Sequence, residues 1–302
     1  MNFCYETEGA GEARGAVLIG AEGDFRILSI PERVGGLPVR SIARNAFAGR
    51  CGAEELRIPG SVAEIGEFAF YDCARLERLE LTDYTTEIGS GAFRGCGALS
   101  LLVLRVKQGS FAGFKDILSD LDQAISAELW FPDGMSRLFF PAFVNDFDED
   151  TMARAIHPRI EGCGYSYRET VTRRRIDFRG YDRLFPRAVA DGRGALGECA
   201  PAVEIAFSRL QYPYQLSGEA EAQYQSHLRD HAEELVPELI HSRDVARLRL
   251  LAERELLSSA AAAAGLRTAA EERQPELCGL LMEYGRGRSS AGKGTRFSLD
   301  EL

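Results

Sequence analysis

The stretch Ile65-Gly66-Glu67-Phe68-Ala69-Phe70-Tyr71-Asp72-Cys73-Ala74-Arg75-Leu76-Glu77-Arg78-Leu79-Glu80-Leu81 holds the pattern that decides the fold. Its second half, L-x-x-L-x-L, alternates inward and outward as a half-buried strand does. Its first half, I-G-x-x-A-F, is too short for a long helix, and the alanine leaves room for a tight turn beneath the phenylalanine. The same columns recur 23 residues away on both sides. Ile42, Ile65 and Ile88 each precede Ala46-Phe47, Ala69-Phe70 and Ala92-Phe93. Ala53, Leu76 and Leu99 follow, then Leu56, Leu79 and Leu102, then Ile58, Leu81 and Leu104. Each unit therefore reads as one strand plus a return segment. A single unit cannot bury its apolar face, so the units are expected to coil into a solenoid and stack their phenylalanines.

These residues resemble BspA-type leucine-rich repeats, whose units carry I-P-x-x-V-x-x-I-G-x-x-A-F-x-x-C. Ile58-Pro59, Val62, Ile65-Gly66, Ala69-Phe70 and Cys73 supply that pattern, and the third copy keeps Ile88-Gly89, Ala92-Phe93 and Cys96. The first copy departs from it, with Ala43 for the glycine and Cys51 one residue late. Ile30-Pro31 and Gly36-Leu37-Pro38-Val39 look like the lead-in of this repeat type. The resemblance spans residues 16 to 106 and implies inward-facing thiols at Cys73 and Cys96, since free cysteine packs as a small hydrophobe.

The strand positions between the leucines face outward. Stacked parallel strands set Glu55 beside Arg78 and Arg57 beside Glu80, and place Leu101 and Val103 in the same columns of the third copy. Two apolar residues facing out of a sheet need a cover. Either the following segment packs on them and caps the solenoid, or they form a partner-binding patch.

After residue 107 the period stops. Phe111 to Ile125 reads as helix, Glu128 to Phe131 as strand before Pro132-Asp133-Gly134, and Thr151 to Ile156 as helix. Residues 161 to 182 show no clear periodicity. From Pro201 apolar residues fall at three- and four-residue steps: Val203, Ala206, Phe207 and Leu210, then Leu235, Leu239 and Ile240, then Val245, Leu248 and Leu251. Leu266 to Ala270 with Glu276-Leu277, Leu280-Leu281 and Gly285 resembles an ankyrin helix pair, with residues 244 to 256 as an earlier outer helix about 31 residues before. The threonine, proline and histidine of that consensus are missing at Ala264, Gly265 and Arg267.

The fold class is thus α+β: a short leucine-rich solenoid of parallel strands followed by a mainly α-helical, ankyrin-like domain. Residues 1–106 are read as the repeat domain and 107–200 as a linking α/β segment on the last repeat. Residues 201–285 are read as the helical domain and 286–302 as a flexible tail. A length of 302 residues, with 45% hydrophobic and 27% charged, suits about two folded domains. A net charge of −10 disfavours a general nucleic-acid binder, and no window is apolar enough for a membrane span. Seven cysteines without a C-x-x-C pair, and no secretory signal, suggest a reducing, cytoplasmic setting.

Four other constellations invite chemistry. Gly287 to Thr295 spells G-x-x-x-x-G-K-G-T, similar to the phosphate loop of nucleoside monophosphate kinases, but a helix is predicted before it where a strand is required. His227 and His231 share a helical face as two zinc ligands would, yet no third ligand is apparent. His157 and Cys163 form a conceivable base and nucleophile without an orienting acid. Tyr165, Tyr167, Arg168, Arg173 to Arg175, Asp177, Tyr181 and Asp182 make a polar-aromatic cluster, read first as internal ties in irregular chain. Phe297 with Ser298 to Leu302 is an acidic-apolar tail that either docks or frays.

The leading expectation is a non-catalytic protein-interaction scaffold without cofactor or metal. Glu55, Arg57, Arg78, Glu80, Leu101 and Val103 are its binding residues for an unidentified protein. The alternative is an enzyme or small-ligand-binding protein with its site in residues 141–200.

Overall fold

Phe47, Phe70 and Phe93 lie face to face at ring separations of 5.2 and 5.3 Å, one ring from each copy of the repeat. They run along the inside of a β-solenoid. The computed structural model describes residues 2–9, 14–23, 25–49, 52–150, 155–192 and 201–291, with side chains for all of these except 146–150, 155–159 and 285–291. The chain divides into two units, Met1–Leu216 and Ser217–Leu302.

The first unit opens with β1 (Asn2–Glu8) and β2 (Gly15–Glu22), an antiparallel pair. The solenoid then winds through β3 (Ile27–Ser29), β4 (Arg33–Val34), β5 (Leu37–Ile42), β6 (Glu55–Arg57), β7 (Glu64–Ile65), β8 (Arg78–Thr82), β9 (Glu87–Ile88) and β10 (Leu101–Arg105). Two sheets result. One has the order β1-β2-β5-β7-β9 with β4 beside β5; the other gathers β3, β6, β8 and β10 in parallel. Between the sheets Leu28, Leu56, Leu79 and Leu102 are fully buried in one row. A single turn has too little apolar surface to hold itself together, and stacking supplies the rest.

The return turns explain the small residues of the motif. Asn45, Phe68 and Gly91 occupy one column with φ of 56°, 56° and 68°, so each turn reverses through a left-handed residue. A Cβ added at Gly66 would lie 2.5 Å from the backbone nitrogen of Arg44, so the turns approach more closely than any side chain allows. The first copy tolerates Ala43 in that column, where the neighbouring chain is β2 and Leu18 O accepts its N–H. Cys73 and Cys96 are buried and donate to Phe47 O and Phe70 O at 3.5 and 3.2 Å, each one turn back. Cys51 lies outside the described residues.

The end of the solenoid differs from the sequence expectation. The predicted helix from Phe111 to Ile125 is α1 (Ala112–Asp120) alone; Leu121 is extended and Ile125 already starts a strand. That helix closes the other edge, against β9, and not the face of Leu101 and Val103. The sheet continues past β10 with β11 (Ile125–Phe131), parallel to it, and β12 (Gly134–Phe140), antiparallel to β11. Asp83 turns the chain out of β10: its Oδ2 accepts the N–H groups of Lys107, Gln108 and Gly109 at 2.6 to 2.9 Å.

A separate hairpin of β13 (Val144–Asp150) and β14 (Ala155–Glu161) follows. Ile156 is therefore in a strand and not in the predicted helix, because pairing with β13 recruits it. Short helices come next: α2 (Gly164–Arg168), α3 (Phe178–Arg183), α4 (Phe185–Asp191) and α5 (Pro201–Gln211). Helix α5 packs on β12, so the division of the chain falls after it and not before Pro201. What joins it there is Arg209, fully buried, whose Nε and Nη2 reach the two Asp182 oxygens at 2.9 and 3.1 Å.

The second unit holds α6 (Gly218–Asp230), α7 (Ala232–His241), α8 (Val245–Glu253), α9 (Ser259–Glu271) and α10 (Pro275–Ala291). Helix α7 lies on α9 and α8 on α10, two helical hairpins stacked side by side. Both hairpins turn through the same C-cap. Arg243 has φ of 58° and precedes Asp244, whose N–H reaches Leu239 O; Arg273 has φ of 57° and precedes Gln274, whose N–H reaches Ala269 O. The offset from Arg243 to Arg273 is thirty residues, close to that read from the sequence. Gly265 lets the hairpins meet, since a Cβ there would sit 2.4 Å from Val236 Cγ1.

Candidate interaction face

The six residues expected to bind lie together on one face of the sheet β12-β11-β10-β8-β6-β3. The parallel register sets Glu55 beside Arg78 and Arg57 beside Glu80, then Arg78 beside Leu101 and Glu80 beside Val103. Strands β11 and β12 prolong these rows. One continues from Leu101 to Ser126 and Phe139, the next from Val103 to Glu128 and Arg137, and a third runs Thr82, Arg105, Trp130, Met135. The alternating leucines Leu79, Leu81, Leu102, Leu104 and Leu129 point into the core, which fixes the others outward.

A chain of ion pairs crosses this face. Glu55 Oε1 accepts from Arg57 Nε at 2.9 Å and from Arg78 Nε at 3.1 Å. Arg78 reaches on to Glu80 at 3.5 Å, and Glu80 accepts from Arg105 Nε at 2.7 Å. The Arg105 guanidinium stands 5.7 Å above the Trp130 ring, a cation–π arrangement. Glu128 and Arg137 approach to 3.9 Å. The hydrogen bond from Arg57, followed by the nearby charges of Arg57 and Arg78, holds the Glu55 carboxyl below its ordinary value against an opposing effect of burial. Leu101 stays half-buried, while Val103, set between Glu80 and Glu128, is 1% exposed. Strands β8 and β11 flank both residues within the sheet. Arg105, Trp130, Met135, Arg137 and Phe139 were not among the residues expected from sequence. The alternation of Ser126, Glu128 and Trp130 with Ala127 and Leu129 was the available signal.

The other constellations resolve differently. Tyr167 and Arg168 are buried, and Arg168 donates to Pro141 O, Gly164 O and Gln123 O at 2.5, 3.1 and 2.6 Å. Burial pushes its guanidinium down to about 10. The Tyr181 hydroxyl bridges both backbone groups of Phe139, at 2.6 and 2.9 Å. Asp177 caps α3, and Arg173 grips Asp116 at 2.6 Å. This part of the cluster ties irregular chain to the solenoid's end. Cys163 is buried, and burial, then a hydrogen bond with Asp191, pushes its thiol up to about 12, away from thiolate chemistry. Residue His157 is in β14, with its side chain outside the described set.

The His227 and His231 rings lie 4.4 Å apart, tilted by 43°, and among the described residues no group of three metal-binding side chains converges. Gly287 to Ala291 continue α10, so helix and not strand leads into the phosphate-loop spelling; Lys293, Thr295 and Phe297 to Leu302 lie outside the described residues. Among the described residues no helix is long and apolar enough to cross a membrane.

Residues 38–116 match the BspA type leucine rich repeat region, in six copies. The solenoid is a BspA-type leucine-rich repeat region. Among solved structures, the chain is similar to a T. pallidum leucine rich repeat protein, with 29% identity over 33% of this chain and 50% of that one, at a TM-score of 0.30. It is also similar to a leucine-rich repeat protein from Bacteroides capillosus, with 24% identity over 36% of this chain and 86% of that one, at a TM-score of 0.30. A third, a leucine rich cell surface protein from Faecalibacterium prausnitzii, shares 19% identity over 42% and 43% of the two chains, at a TM-score of 0.28. Among curated proteins none matches the chain.

Proposed function

We propose that this protein is a non-catalytic interaction scaffold whose BspA-type solenoid presents the outward face of β6, β8, β10, β11 and β12 to a protein partner. One observation carries this reading. The chain's single tryptophan, Trp130, is 42% exposed on a rigid sheet, beside a bonded row of arginines and glutamates. Tryptophan and arginine dominate binding energy at protein interfaces, and a rigid platform loses little entropy when it binds. Glu55, Arg57, Arg78, Glu80 and Leu101 form the body of the site, with Val103 as its buried floor. The stacked hairpins of the second unit, read as ankyrin-like, add a further repeat surface of the kind that displays contacts. Free thiols at Cys4, Cys163 and Cys278 suit a reducing compartment, which supports a cytoplasmic setting.

Immobilised protein and its Arg105→Ala/Trp130→Ala variant, matched in thermal unfolding, test the reading by capture from lysate of the source cells. A protein retained by the parent and lost by the variant supports it. Identical retention by both proteins removes this face from the account.

A further inference from the structure

Resting on the reading of this sheet as an interaction face, we propose that its occupant is an acidic protein segment carrying an apolar anchor. The formal charges of the face nearly balance, but their depths do not. The side chains of Arg57 and Arg105 are 52% and 49% exposed, whereas Glu55 and Glu80, which they bond, are 18% and 20% exposed. Arg137 likewise stands more open than Glu128. The carboxylates are sunk and the guanidiniums form the outer layer. An approaching partner meets cations first, on a chain whose net charge is −10.

The hydrogen bonds leave those cations with capacity. Arg57 and Arg105 spend Nε on their glutamates, and among the described residues their terminal Nη groups make no hydrogen bond. A guanidinium has five donors in a fixed fork, so each can accept a partner's carboxylate without giving up its own. A basic segment would have to displace an arginine to reach a sunk glutamate. A nucleic acid would set closely spaced phosphates over Glu55, Glu80 and Glu128 and against the net negative charge of the whole chain. Beside the arginines, Trp130 and its register neighbour Met135 give an apolar side chain somewhere to sit. A short segment alternating acidic and apolar residues satisfies both features.

Trp130 emission reads the test directly, since no second tryptophan interferes. The probes are a short synthetic peptide alternating glutamate and leucine, its lysine–leucine counterpart, and oligouridylate. The glutamate–leucine peptide is expected to shift the emission saturably and to weaken as salt rises. Its binding should fall about tenfold in Arg105→Gln and also in Arg57→Gln, both checked for parental unfolding curves. The other two probes should give no saturable change. Tighter binding of the lysine peptide or of oligouridylate, or a glutamate peptide that is silent or indifferent to both variants, overturns the proposal. A protein partner lost on Trp130→Ala while the acidic peptide is silent overturns the acidic character alone and leaves the interaction face standing.

Discussion

Asp120, the last residue of α1, accepts the backbone N–H of Phe93 at 3.2 Å, and that of Gly91 at 3.1 Å. In the two earlier copies the return turns donate to the turn that follows: Phe47 to Ala69 O and Phe70 to Ala92 O. Phe93 has no further turn to serve it, and one carboxylate stands in. Burial raises the Asp120 pKa above its ordinary 3.8, partly opposed by these two N–H groups. A carboxyl whose folded pKa is raised binds its proton more tightly in the folded state. Its contribution to stability therefore falls as pH rises from the ordinary value through the raised one. Asp120→Asn keeps an acceptor and removes that dependence, so the stability difference between parent and variant should move in favour of Asn as pH rises through that window. Asp120→Ala should cost about 1–2 kcal/mol by urea unfolding at neutral pH.

Phe70 has a ring on either side and is fully buried. Its replacement by alanine opens the middle of the stack and should cost about 3–5 kcal/mol. Urea unfolding followed by circular dichroism measures this, and a loss below about 1 kcal/mol would mean the column is not the core of the solenoid.

Gly66→Ala forces a Cβ onto the backbone of Arg44, which cannot swing aside. A cost of about 1–3 kcal/mol is expected. Gly97→Ala is the control, because a Cβ there meets nothing within 4 Å. The two variants should separate clearly in thermal unfolding.

These positions show why the solenoid was legible in the sequence. A fixed period sets the register, so the columns of Ile42, Phe47 and Leu56 located every neighbour from Glu55 to Val103 in advance. Strands β11 and β12 carry no such column, and their pairing with β10 is a tertiary event; Trp130 and Arg137 therefore escaped notice. Residues 161 to 182 were unreadable for a different reason. Their course is set by single side chains, Arg168 and Tyr181, reaching backbone groups at Gln123, Phe139 and Pro141. No local pattern encodes such bonds.

The Arg209–Asp182 pair is of that kind. Removing either partner leaves a buried charge uncompensated, and Arg209→Ala or Asp182→Ala should each cost about 3–5 kcal/mol. The double replacement Arg209→Met/Asp182→Leu should recover much of the loss, which a double-mutant cycle in urea resolves.

Trp130 also reports the sign of the local field. Iodide should quench its emission more effectively than caesium, relative to the free indole chromophore, in spite of the net charge of the chain. Arg105→Glu should reverse the order, because it places a carboxylate beside the ring in the position of the guanidinium.

The most direct test of the interaction face is site-specific photocross-linking with benzoylphenylalanine. The probe goes at Ser126, between Leu101 and Phe139 on the outward face, and separately at Glu64, an exposed position on the other sheet of the solenoid. Cross-links to a partner protein are expected from Ser126 and none from Glu64. Cross-links from Glu64 with none from Ser126 would contradict the interaction face.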